Sequence, residues 1–252
     1  MERIALPSKV TLTDAGENEA SIIIEPCYPG YGTTLGNALR RVLLSSLSGA
    51  AITSVKITGA THEFTTLPHV KEDIVDLILN LKGLRLKMFE GETATIMVKG
   101  KGEKVLTAGD LKCPSNVEVR NPEHVICHLT DKNADLEMEL TIGIGRGYIP
   151  VEQRDKERLD LGVIAVDAIY TPVRNVNFRV ENVRVGQMTN YDKVTLMVRT
   201  DGTITPAAAF RESSQILTEH FQHLMEAVPA DAPTEEAKPA KKKPAKKEKK
   251  ED

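Results

Sequence analysis

Four short stretches carry residue types that could do chemistry. In Asn121–Asp131, NPEHVICHLTD, His124, Cys127 and His128 lie close enough to suggest a metal site. Zinc needs about four converging ligands. Val125, Cys127 and Leu129 alternate with His124, Ile126 and His128, which is a strand pattern and sends the thiol away from both imidazoles. The stretch reads as a half-buried strand. In IGIGRGYIP, Gly143, Gly145 and Gly147 do not fit the G-x-G-x-x-G phosphate turn. The third glycine comes one residue early, no helix follows and Pro150 is near, so a strand with bulges near its end is expected. The sequence has no GxxxxGK[ST], GxSxG or HExxH. No catalytic, cofactor-binding or metal-ligating residue emerges.

The third stretch is the lysine-rich end. The formal net charge of −3 divides into +5 from Lys238 onward, with eight lysines against three acidic residues, and −8 before it. Residues 229–252 hold almost only Pro, Ala, Glu and Lys, and cannot offset the entropy of ordering. They read as a disordered tail that could touch nucleic-acid phosphates without reading sequence.

The fourth stretch is TTLGNALRRVLLSSLSG, Thr33–Gly49. At 100° per residue, Leu35, Ala38, Leu39, Val42, Leu43 and Leu47 fill an arc of about 180°, where a helix on one core needs roughly 100°. Leu44 lies beyond that arc, with Arg40 between it and Leu47 and Arg41 on its other side. One reading is a deeply buried helix with solvent-facing arginines. The other is two surfaces, one for the subunit's own fold or its twin and one for a different protein, because arginine pairs bidentately with carboxylates at interfaces.

The elements that must position these stretches follow from periodicity. ASIIIEP, Ala20–Pro26, is a strand; CYPGYGTT is turn chemistry; Thr33 or Thr34 caps the helix and Gly49 ends it. ITSVKIT is a strand. Val70, Ile74, Leu77, Ile78 and Leu81 form one face of a second helix, with Glu72 and Asp73 in its first turns, Lys82 in its last and Gly83 as its stop. Residues 84–150 are strand-rich. In DLEMELTIGIG, Leu136, Met138, Leu140, Ile142 and Ile144 share a face. After the polar loop 151–160 come three more strands and a last helix with Thr205 as N-cap, Pro206 as N1 and Phe210, Leu217, Phe221 and Leu224 on one side. The order points to an α+β fold. Three cysteines make no disulfide framework, the N-terminus lacks a signal-peptide core, and no run of about 18 apolar residues occurs. A cytoplasmic protein with no membrane partner is expected.

EPCYPGYGTTLGNALRRVLLSSLSG, VKEDIVDLILNLKGL, PEHVICHLTD, GRGYIP and DGTITPAAAFRESSQIL together resemble the alpha subunit family of bacterial DNA-directed RNA polymerase. The matches run in family order from about Ile22 to Leu224. The resemblance implies a discontinuous dimerisation domain, residues 1–48 and 173–228, around an inserted strand-rich domain, residues 49–172. It implies a non-catalytic scaffold for the beta and beta-prime subunits, with no cofactor of its own. Arg41, Leu44 and Lys82 would face beta. The segment around Val173 to Val185, with Asp192 and Lys193, would face beta-prime. Leu35, Leu39, Val42, Leu43, Phe210, Leu217, Phe221 and Leu224 would form the homodimer interface. The family's helical carboxy-terminal domain has no counterpart here, which reads as a naturally short chain whose tail supplies weak DNA contacts. A free-standing dimeric nucleic-acid-binding protein is the alternative; an enzyme with an unrecognised site is remote.

Overall fold

The computed structural model describes residues 4–154, 160 and 162–228; the lysine-rich end and most of the polar loop's second half lie outside them. The strands are β1 (Lys9–Gly16), β2 (Glu19–Cys27), β3 (Ser48–Ile57), β4 (Leu86–Met88), β5 (Thr93–Lys101), β6 (Lys104–Thr107), β7 (Val117–Val119), β8 (Val125–Leu129), β9 (Asp135–Arg146), β10 (Tyr148–Ile149), β11 (Val163–Ala165), β12 (Ala168–Ile169), β13 (Val173–Val185) and β14 (Met188–Thr200). The helices are α1 (Tyr31–Ser45), α2 (Ile74–Lys82) and α3 (Pro206–Ala227). The α+β expectation holds. Residues up to Leu217 form one compact unit, and the described residues from Thr218 to Val228 fall in a second.

Two hydrophobic cores form within the first unit. A four-stranded antiparallel sheet, ordered β1-β2-β14-β13, joins the two ends of the chain. Its core gathers Ile22, Ile24, Leu39, Leu43, Leu47, Val176, Val194, Leu196 and Ala209. The second sheet runs β5-β9-β3-β4-β7, with β11 also on β3. Its core takes Ile52, Val55, Ile74, Leu77, Leu81, Ile96, Met138, Leu140 and Ile142. Alternation on β9 sends Leu136, Met138, Leu140 and Ile142 inward, as expected. Ile144 follows in unbroken register with β3 but is 44 % exposed, so the core does not extend over its end of the strand.

Two glycines of IGIGRG, Gly143 and Gly145, line a slot, while Gly147 serves a turn at φ 65°. Tyr170, 6 % exposed, lays its ring against Gly145, where a Cβ would lie 2.6 Å from it. A Cβ on Gly49 of β3 would lie only 1.9 Å from the Tyr170 carbonyl oxygen. Gly49 therefore does not end the helix; α1 stops at Ser45 and Gly49 sits in β3. The Arg85 guanidinium donates to the Asp201 carbonyl at 3.0 Å and ties the two sheets together.

The second helix starts later than its apolar spacing predicts. Val70 pairs with Leu129 as an isolated bridge, and the Lys71 amide donates to the His128 carbonyl at 3.0 Å. These contacts tie Val70 and Lys71 to β8 in a non-helical turn, with His69 at φ 62°, so α2 begins after Asp73, whose carboxylate accepts from the Asp76 amide at 2.7 Å. Glu72 accepts from the His128 amide and pairs with the His128 ring instead of serving the helix dipole. Burial pushes the Glu72 carboxyl up, but the His128 hydrogen bonds outweigh it and leave it below the ordinary value. At the far end, Lys82 Nζ lies 2.9 Å from Asp167 Oδ2, while Asp167 Oδ1 accepts from the Val151 amide at 3.0 Å.

Gly49→Ala should lower the urea midpoint by an amount equivalent to about 3 kcal/mol, because backbone cannot yield as a side chain does. Gly16→Ala, with nothing within 4 Å of the new Cβ, should be neutral within about 0.5 kcal/mol. Equal midpoints for the two variants would refute the slot. Lys82, and then the Val151 amide, hold the Asp167 carboxyl below its ordinary value. The folded state thus binds that proton less readily than the unfolded chain. The stabilisation is complete above the unfolded carboxylate pKa of about 3.9 and is lost as pH falls through the depressed folded value. Asp167→Asn should therefore flatten the acid limb of stability against pH, below about pH 5. An acid limb as steep as that of the unmutated protein would contradict the pairing.

Candidate interaction surfaces

Helix α1 is positioned from across the chain. Its N-cap is Gly30, at φ 84°, and no side chain of the CYPGYGTT turn caps it. The cap comes from Asp192 on β14, whose Oδ2 accepts from the Gly30 and Gly32 amides, each at 2.9 Å. A carboxylate at a helix N-terminus meets free amides and the positive end of the dipole. This is why the cap falls at Gly30 and α1 begins at Tyr31, ahead of the expected Thr33 or Thr34 cap. The neighbouring Cys27 thiol is pushed up by burial and then by the Asp192 charge, which leaves it an inert core group.

The buried positions of α1 are Gly32, Gly36, Leu39 and Leu43. At 100° per residue they span only about 60°. A Cβ on Gly32 would lie 2.8 Å from the Asp192 side chain, and one on Gly36 would lie 2.5 Å from the Phe178 ring. These two glycines set the distance between helix and sheet. The 180° arc read from the sequence therefore divides. Leu39 and Leu43, 6 % and 0 % exposed, belong to the chain's own core. Leu35, Ala38 and Val42 are half-buried on one flank, and Tyr31 extends that flank. Arg40, Arg41 and Leu44 face solvent, and the helix carries no acidic residue. The Ser45 hydroxyl donates to the Arg41 carbonyl at 2.7 Å.

The other expected site residues divide in the same way. Val173 is 2 % and Asp192 7 % exposed, so both act inside the fold; Lys193 is half-buried on β14, across from Glu181 of β13. Lys82 is half-buried and neutralised by Asp167, so it is no free cation. On α3, Phe210 and Leu217 are half-buried against the first core. Phe221 and Leu224, at 60 % and 58 %, are exposed together with Met225 and Val228. The Thr205 hydroxyl accepts from the Ala208 amide at 3.3 Å, as its expected capping role requires.

The metal-like stretch goes to three separate partners. The His124 ring reaches the Asn80 carbonyl at 2.8 Å, His128 pairs with Glu72, and Cys127 is fully buried. Burial, with the Glu72 charge added, pushes the Cys127 thiol up to about 12. No group of three or more metal-capable side chains converges among the described residues.

Sequence reasoning missed Asp192 as a cap and Gly32 with Gly36 as a close-packing pair. A signal for the glycines was present, since small residues at i and i+4 share a helix face. No local signal marked Asp192, which lies 162 residues from Gly30.

A family model described as the RNA polymerase Rpb3/RpoA insert domain matches residues 55–171. The DNA-directed RNA polymerase subunit alpha of Roseiflexus sp. (strain RS-1) is 47 % identical over 244 residues, which cover 94 % of this chain and 75 % of the relative. The subunit of the same name from Carboxydothermus hydrogenoformans is 48 % identical over 214 residues, 85 % of this chain and 68 % of its own. That of Rickettsia prowazekii is 48 % identical over 218 residues, 86 % of this chain and 64 % of its own. No helix among the described residues is long and apolar enough to cross a membrane. With such identity sustained over most of its length, the chain belongs to the family of alpha subunits of DNA-directed RNA polymerase.

Proposed function

We propose that the chain is the assembly scaffold of a DNA-directed RNA polymerase: it dimerises, then gathers the beta and beta-prime subunits for DNA-templated transcription. The observation that carries this reading is the division of α1 into a core face, a half-buried apolar flank and an outward Arg41–Leu44 edge. The two cores support a discontinuous dimerisation domain of residues 1–48 and 173–228 around an inserted domain of residues 49–172. Leu35 and Val42 on α1, with Phe210, Leu217, Phe221 and Leu224 on α3, supply the interface between copies. Leu39 and Leu43 back it from beneath.

Arg41 and Leu44 face beta, joined by the rim around Lys82. The β13–β14 hairpin faces beta-prime; there Lys193 offers the contact, while Val173 and Asp192 hold the hairpin and α1 in place. A two-fold dimer presents every patch twice. Two different large partners bind one dimer without competing when one protomer uses its Arg41 edge and the other its hairpin.

Arg41→Ala should leave the dimer intact on a sizing column and reduce co-purification of beta by about tenfold or more, the effect of a hot-spot arginine. An Arg41→Ala protein that runs as a monomer, or that retains beta in full, would overturn the assignment.

A further inference from the structure

Helix α1 has two unlike halves. Residues 31–37 include two glycines, two threonines and an asparagine, all poor helix formers. Residues 38–45 include an alanine, three leucines and two arginines, all good ones. The first turn carries no acidic residue, and the N-cap Gly30 has no side chain to offer. On local forces alone the first two turns would fray, because an uncapped helix start leaves its amides orphaned.

What orders this half comes from the β13–β14 hairpin. Asp192 supplies the cap. Val180 and Phe178 of β13 share its face of the sheet; a Cβ on Gly32 would lie 2.9 Å from Val180, and one on Gly36 2.5 Å from Phe178. A second link is aromatic. The Tyr28 ring meets Tyr31 of α1 edge-on, with centroids 5.9 Å apart, and Tyr191 of β14 at 6.2 Å. Lys193, next to Asp192, turns to the opposite face, across from Glu181. One two-stranded ribbon thus grips the start of α1 on its inner face and presents the other face outward.

We infer that the first two turns of α1 are a conditional element, ordered by the hairpin through Asp192, and that a partner seated on the outward face of the hairpin tightens them. The inference rests on the proposed beta-prime role of that hairpin and adds a consequence to it. Tyr31 and Leu35 lie in these turns, on the flank proposed for the contact between copies. A partner that quietens the hairpin leaves less ordering for that flank to undergo, and linkage makes the effect reciprocal. Dimerisation and beta-prime capture therefore strengthen one another within one protomer, through Asp192 as a positioning residue.

The test is hydrogen exchange, read by mass spectrometry on residues 30–37 of the full-chain dimer, first with beta and then with beta and beta-prime. Adding beta-prime should slow these amides in half of the chains, since one hairpin of the two is engaged, and leave residues 38–45 unchanged. Asp192→Ala should speed the same amides about tenfold, the loss of a helix cap, and abolish the beta-prime effect. Asp192→Asn keeps an accepting oxygen and should restore both. If beta-prime binds the unmutated chain without slowing these amides, the coupling falls and the scaffold reading stands. An Asp192→Ala effect spread evenly over both halves of α1, or no rescue by Asp192→Asn, also overturns the coupling alone. Should Asp192→Ala not fold, the unmutated comparison decides by itself. An unmutated chain that retains no beta-prime removes both.

Discussion

The Asp192 carboxylate holds the Gly30 and Gly32 amides at the start of α1 against β14, and most of what the first core does depends on that contact. A helix end buried without partners is costly, because each orphan amide loses water and gains nothing. One oxygen accepting both the Gly30 and Gly32 amides removes that cost and fixes the helix at a single point. Gly32 and Gly36 then let the backbone come down onto Asp192, Val180 and Phe178. The narrow buried face that results, only Gly32, Gly36, Leu39 and Leu43, is what leaves Arg41, Leu44 and the Leu35–Val42 flank turned outward.

The second constraint sits where the two sheets meet. β3 leaves α1 and enters the second sheet directly, so its first residues belong to both neighbourhoods. Tyr170 fills that joint, with its carbonyl over Gly49 and its ring over Gly145. Arg85, bound to the Asp201 carbonyl, closes the joint from the other side. A glycine cluster that resembles a phosphate-binding turn on paper is here a space for a buried aromatic ring. The chemistry of the joint is packing, and Gly49 and Gly145 are there because a Cβ would not fit.

Function in this chain is a matter of which groups the fold leaves unused. The imidazoles and thiol of NPEHVICHLTD are consumed by Asn80, Glu72 and the core. Lys82 is consumed by Asp167. The apolar end of α3, the outward edge of α1 and the Val75 and Leu79 side chains of α2 remain uncovered. Three uncovered surfaces and no convergent reactive cluster among the described residues describe a protein built to be covered by others.

By itself the sequence determined the α+β class, the alternation of β9, the cap at Thr205, the amphipathic helices and the outward placement of Arg41. Each of these is local: periodicity and turn residues encode which side of an element is apolar. The same local logic placed the α1 cap at Thr33 or Thr34, extended α2 back to Val70, and spread the apolar arc of α1 over about 180°. The tertiary structure decided these differently because the decisive partners are distant. Asp192 reaches α1 only through the β2–β14 register, Val70 is paired with Leu129, and Gly32 and Gly36 narrow the buried face only once Phe178 lies beneath them. Periodicity states that a face is apolar; sheet register and topology decide what touches it.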